Sequence, residues 1–302
     1  MNQKTMTNIW KNDPQKLLKT AKDTCYNEAV ISKEENEYEE FWQNLTIQDD
    51  FMFGKIMGNR ELCIQLLRLI FPHQAIERIE YVKVQESIRM DKESKGIRLD
   101  VFVKDNKNTA FCVEMQTRNE DNLPKRSRYY QSLIDLELLD RGQHYDSLSP
   151  SYVVFICSKD LFHLGYHVYE FKNYCMQDRE TELGDEATKI FLNAQGKGGD
   201  ISPELKEFLD YVAGKENEKP SPFIGQLKRA VYHAKQNREW RRERMIMYFR
   251  EMDIRMEAER EARNKLIMSM LDNGLEREVV KKVAEIGDEE LDSIIKSREK
   301  TK

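Results

Sequence analysis

Residues 96–116, GIRLDVFVKDNKNTAFCVEMQ, read as two strands joined by a polar turn, with an acid on each strand. Successive side chains alternate across a strand, so Arg98, Asp100 and Phe102 share one face while Leu99, Val101 and Val103 share the other. In the second strand Cys112, Glu114 and Gln116 share a face, and Phe111, Val113 and Met115 take the opposite one. Leaving Asp105 to Thr109 as the loop, an ordinary length for a hairpin, pairs Lys104 with Ala110, Phe102 with Cys112 and Asp100 with Glu114.

That register sets two carboxylates opposite each other with Cβ atoms roughly 5 Å apart, and Gln116 lies one same-face step beyond Glu114. Like charges so close repel, and a compensating cation relieves them. A hard divalent ion such as Mg2+ takes oxygen ligands, usually one or two carboxylates completed by waters and substrate phosphate. A solvated strand face with the pairing slipped by one residue is the other reading, and alternation alone does not choose between them.

The flanking text narrows the choice. It includes LTIQDDFMFGKIM (45–57), ELCIQLLRLIF (61–71), SKGIRLDVFVKD (94–105), CVEMQ (112–116), LPKRSRYYQSLIDLELLDRG (123–142), SYVVFIC (151–157) and NREWRRERM (237–245). Together with Asp, a hairpin and then Glu-x-Gln, these stretches resemble the PD-(D/E)XK nucleases, in the branch of Rpn-type recombination-promoting nucleases and transposases. The likeness covers most of residues 40–250 and keeps the family's order.

The resemblance implies an α/β fold, a mixed sheet with a restriction-endonuclease-like α-β-β-β-α-β core. It implies metal-dependent hydrolysis of DNA phosphodiesters, with Mg2+ as the ion and Mn2+ as its substitute. Asp100 and Glu114 would hold the metal, and Gln116 would orient the attacking water. One departure from the broad superfamily is Gln116 where most members carry Lys, which removes a cation from the site. An acid from the first helix often joins such sites, and Asp50 and Glu61 are the two candidates. Each also reads as a first-turn acid complementing a helix dipole.

The totals fit one sizeable domain with an appendage: 302 residues, 34% charged and 39% hydrophobic. No stretch approaches the ~18 uninterrupted apolar residues of a membrane span, and MNQKTMTNIW lacks an apolar signal region, so the expected location is the cytoplasm. A net charge of −5 argues mildly against nucleic acid, although a total does not describe a patch. Five cysteines without a C-x-x-C give neither a zinc site nor a disulfide framework.

Three regions are expected: a polar arm over 1–40, a nuclease-like core over 41–222 and a helical region over 223–302. Thr46 or Asp49 can cap a short helix, and Leu62, Leu66, Leu67 and Ile70 give a second helix its apolar stripe before Pro72. IERIEYVKVQESI (76–88) alternates as a first strand. Lys95, in the Ser-Lys-Gly turn, is either a phosphate contact or a solvated turn lysine.

Pro124 and Gly142 bracket a helix whose apolar side carries Leu133, Leu136 and Leu139. Arg126 and Tyr130 are neighbours on it at i, i+4. Arg126 suits a phosphate, and Tyr130 either lines the site or simply packs. SYVVFIC completes the core order, and YHVYEFKNYC and TKIFLNAQGKGG suggest further strands.

Basic charge gathers at Lys228, Arg229, Lys235, Arg238, Arg241, Arg242 and Arg244, serving a solvated helix face or DNA backbone. Asn273-Gly274 and Gly287-Asp288 divide the tail into three short helices, a helix-turn-helix-like unit or a homodimer contact. The leading function is a Mg2+-dependent DNA endonuclease linked to recombination or transposition. The alternative is a nuclease-fold protein that binds DNA or oligomerises without cutting, and the missing lysine is its best support.

Overall fold

The hairpin at the centre of the sequence is also the centre of the sheet. The computed structural model describes residues 28–88, 97–117 and 121–299. Among these, β1 (Ile79–Ile88), β2 (Ile97–Asp105), β3 (Ala110–Gln116), β4 (Ser151–Cys157), β5 (Val168–Phe171) and β6 (Ala187–Asn193) form one sheet in the order β1-β2-β3-β4-β6-β5. The first three strands are an antiparallel meander. β4 runs parallel to β3 and β6 parallel to β4, while β5 closes the edge antiparallel to β6.

The β2–β3 register pairs Lys104 with Ala110 and Phe102 with Cys112, as alternation and loop length require. Asp105 fixes the turn by accepting from the amides of Lys107 (2.8 Å) and Thr109 (2.9 Å). Asn108 sits in the left-handed region at φ 63°, which its short polar side chain tolerates.

Helix α1 (Glu28–Asn44) precedes α2 (Asp50–Met57) and α3 (Arg60–Ile70), and α4 (Leu123–Leu138) separates β3 from β4. The expected α-β-β-β-α-β order is therefore present. Asp49 caps α2 by accepting from the Met52 amide (3.1 Å), and Asn59 does the same for α3. The α3 stripe of Leu62, Leu66, Leu67 and Ile70 is buried.

On the odd-numbered face of the hairpin, Phe111 stacks on Tyr152 (5.4 Å between centroids) and meets Phe71 of the α3 C-cap (5.1 Å). The opposite face sets Phe102, Cys112 and Phe155 against Tyr130, Leu133 and Ile134 of α4. Each such side chain removed from water contributes ~1.5–3 kcal/mol, so both faces of the central strands are held by apolar packing.

Several boundaries differ from expectation. The end of the supposed arm packs with the core: Tyr38 is fully buried, as is Trp42 one helical turn on along α1, already within the expected core. Trp42 Nε1 donates to the Lys235 carbonyl (3.1 Å) on α6 (Pro222–Gln236), which follows α5 (Pro203–Val212). Because α6 buries Phe223, Ile224 and Leu227 and contacts α2 and α3, residue 222 is not a boundary. The chain divides by its contacts into Met1–Trp240 and Arg241–Lys302. Helix α4 ends at Leu138 rather than at Gly142, which occupies the following turn at φ 90°. Leu136 points outward, 56% exposed, because Leu123, Tyr130, Leu133 and Ile134 form the buried stripe.

The second unit takes in α7 (Arg238–Asp272) from Arg241 onward, α8 (Arg277–Ala284) and α9 (Asp288–Glu299). Its own small core is Ile267, Val280, Ile286, Leu291 and Ile294, and Arg298 Nη1 contacts both oxygens of Asp272 (2.8 Å each). The tail breaks lie where Asn273-Gly274 and Gly287-Asp288 place them. The expected first short helix, however, is the end of one continuous 35-residue helix. No helix among the described residues is long and apolar enough to cross a membrane.

Candidate active site

Backbone pairing between β2 and β3 runs only as far as Val101 and Val113. Beyond that point the two acids take over. The Asp100 amide donates to Glu114 Oε1 (2.9 Å), and the Met115 amide donates to Asp100 Oδ2 (2.9 Å). Each carboxylate thus binds the opposing strand's backbone, filling the gap where the ladder stops. The Cys112 thiol adds a donor to Glu114 Oε1 (3.5 Å) from the same strand face.

Both acids are buried, Asp100 to 5% and Glu114 to 3% exposure. Asp100 Oδ1 and Glu114 Oε2 accept no hydrogen bond among the described residues. Burial above all pushes the Glu114 carboxyl up to about 7. It also holds Asp100 well above the carboxylate range, with the charges of Glu114 and Asp50 adding to the effect. Two adjacent acids that resist ionising, each keeping one oxygen unengaged, fit a hard cation that needs one or two carboxylates and completes its shell with water and phosphate.

Of the two first-helix candidates, Asp50 is the one whose charge reaches both Asp100 and Glu114. Its Oδ2 is paired with Arg98 Nη2 (2.9 Å). Glu61 is exposed in the first turn of α3, the dipole-complementing role open to it from the start. Among the described residues no three His, Cys, Asp or Glu side chains gather as a metal-holding group. Lys95 lies outside the described residues.

Gln116 ends β3 and Arg126 lies two residues after Pro124 in the first turn of α4. Arg126 Nη1 donates to Gln116 Oε1 (3.0 Å) and Nη2 donates to the Tyr130 hydroxyl (3.0 Å). The guanidinium carbon lies 5.5 Å from the Tyr130 ring centre and 5.7 Å from that of Phe155. Tyr130 is buried and its hydroxyl is held above its ordinary pKa by that burial.

Sequence reasoning gave no role to Arg98 and Cys112. The signal was present, since each shares a strand face with an acid two residues away. Only the fold shows that Arg98 reaches back to α2 and that Cys112 donates to Glu114.

A mixed sheet with this strand order, preceded by helices and crossed by α4, defines a restriction-endonuclease-like α/β core with a helical C-terminal part. The chain belongs to the PD-(D/E)XK nuclease family transposases, whose family model matches residues 48–271. No curated protein and no solved structure matches it.

Proposed function

We propose that this chain is a Mg2+-dependent DNA endonuclease of Rpn type, with Mn2+ as a substitute ion, acting in recombination or transposition. The observation that carries the proposal is the buried acid pair, each member anchored by the other strand's amide and keeping one oxygen for a ligand. Hydrolysis adds water across a phosphodiester: a new O–P bond forms as a P–O ester bond breaks, leaving a phosphate monoester and a sugar hydroxyl.

Asp100 and Glu114 hold the divalent ion, which when bound polarises the phosphoryl oxygen and lowers the pKa of a bound water. Their burial keeps bulk water from competing, and the amides of Asp100 and Met115 fix the direction of each carboxylate. Arg126 forks onto the phosphate, and Tyr130 lines the site beside it. Gln116 sits one same-face step from Glu114, where an amide can orient water.

Supercoiled plasmid incubated with the protein and Mg2+, Mn2+ or chelator tests the reading. Nicking is expected with either ion, none with chelator, and none from Asp100→Asn or Glu114→Gln. The absence of lysine at position 116 supports a second reading, a DNA-binding or oligomerising protein on the nuclease fold. It predicts no nicking and no carboxylate-dependent metal uptake by calorimetry.

A further inference from the structure

The superfamily lysine that Gln116 replaces would place a positive charge on β3, and the structure brings one to the same spot from a different element. Resting on the hydrolytic reading above, we propose that Arg126 is the cation of this active site, replacing the strand lysine, and that Gln116 and Tyr130 are positioning residues that aim it.

Two hydrogen bonds and two ring contacts hold the guanidinium. Gln116 Oε1 receives Nη1 and the Tyr130 hydroxyl receives Nη2, both at 3.0 Å. Two anchors on different nitrogens set the rotation of the planar group. The rings of Tyr130 and Phe155 bound it at 5.5 and 5.7 Å, a separation at which an aromatic ring attracts a cation. The charge is also felt at Glu114, where it opposes the effect of burial.

The same contacts account for glutamine at position 116. A lysine there would press an ammonium against the guanidinium, two donors with no acceptor between them. An amide instead offers the carbonyl oxygen that Arg126 uses, and it adds no charge. The departure of Gln116 from the superfamily and the arrival of Arg126 are thus one exchange, with the cation moved from strand to helix.

A guanidinium does not release its proton in proteins, so Arg126 takes no part as a base. Its planar donors suit the non-bridging phosphoryl oxygens, where charge gathers as the P–O bond breaks.

The test is a charge relocation, read by plasmid nicking with Mg2+ and by calorimetric metal uptake. Arg126→Gln is expected to slow nicking by about 10²–10³-fold, the usual loss for a transition-state donor, with metal uptake unchanged. Gln116→Lys alone is expected to be impaired, because the new ammonium displaces Arg126. Combining Gln116→Lys with Arg126→Gln returns a single cation to the strand, and this double variant should nick faster than either single one. Tyr130→Phe should give a smaller loss that Arg126→Gln makes redundant.

The proposal is overturned if Arg126→Gln nicks like the parent, or if the folded, metal-binding double variant is no faster than the single variants. If Asp100→Asn also nicks like the parent, or the parent does not nick, the hydrolytic reading itself falls and the proposal with it. A dead Asp100→Asn beside a fully active Arg126→Gln sinks only the proposal.

Discussion

Replacing Glu114 with glutamine should raise the melting temperature of the metal-free protein, and more at pH 8 than at pH 5. Folded, Glu114 keeps its proton up to about 7, whereas its ordinary value is 4.5. Between those values the folded state binds protons that the unfolded chain has lost, so stability falls as pH rises through the window. Each pH unit is worth ~1.4 kcal/mol, so by pH 8 the ionised acid costs about 3 kcal/mol, and at pH 5 less than about 1 kcal/mol. Glutamine keeps an oxygen for the Asp100 amide and never ionises. At ~2–4 °C per kcal/mol for a unit of this size, the gain is ~6–12 °C at pH 8 and no more than about 2–4 °C at pH 5. Thermal melts by circular dichroism in chelator at the two pH values measure it. Mg2+ should reverse the order at pH 8 by stabilising the parent alone. A gain equal at both pH values, or a loss at pH 8, would refute the argument that burying an ionised Glu114 costs stability at this hairpin.

Trp42→Ala should destabilise the protein by ~3–5 kcal/mol, the usual loss for a buried large aromatic. Trp42→Phe, which gives up mainly the indole bond to the Lys235 carbonyl, should cost about 1 kcal/mol; denaturant melts measure both. Native labelling with iodoacetamide should modify the exposed Cys175 quickly and Cys63, Cys112 and Cys157 slowly, since these three are buried with thiols held above their ordinary pKa; peptide mass spectrometry at timed quenches reads the ratio. Ending the chain at Trp240, where the contacts divide, should leave a cooperatively melting unit that still takes up metal. Light scattering and gel shift then show whether the removed helices served a homodimer or DNA, and unchanged mass and affinity would exclude both roles.

The hairpin was legible because alternation and a five-residue loop together give one register, which the Asp105 turn then fixes. Caps at Asp49, and the stripe from Leu62 to Ile70, were legible for the same local reason. What local rules miss is what arrives from elsewhere. Tyr38 stands in an acid-rich run that reads as solvated, yet it is buried, and the Trp42 indole one helical turn on finds its acceptor some 190 residues later on α6. The boundary expected at residue 222 followed a change in composition, yet Phe223 and Leu227 belong to the same core. At the site, the facing of Asp100 and Glu114 follows from the hairpin register. The contact between Gln116 and Arg126 does not, because it depends on how α4 returns across the sheet.

The bond between Trp42 and Lys235 also sets a timetable. Its partners are 193 positions apart, so during synthesis the tryptophan leaves the ribosome long before its acceptor exists. At ~5–20 residues per second the wait is about 10–40 s, during which the hairpin and its flanking helices can already form from nearby contacts. Throughout that interval the Trp42 indole lacks the acceptor that it has in the folded protein. A premature stop between β3 and α6 would make that lack permanent, leaving a fragment whose hairpin is complete and whose Trp42 has no Lys235 carbonyl to bind.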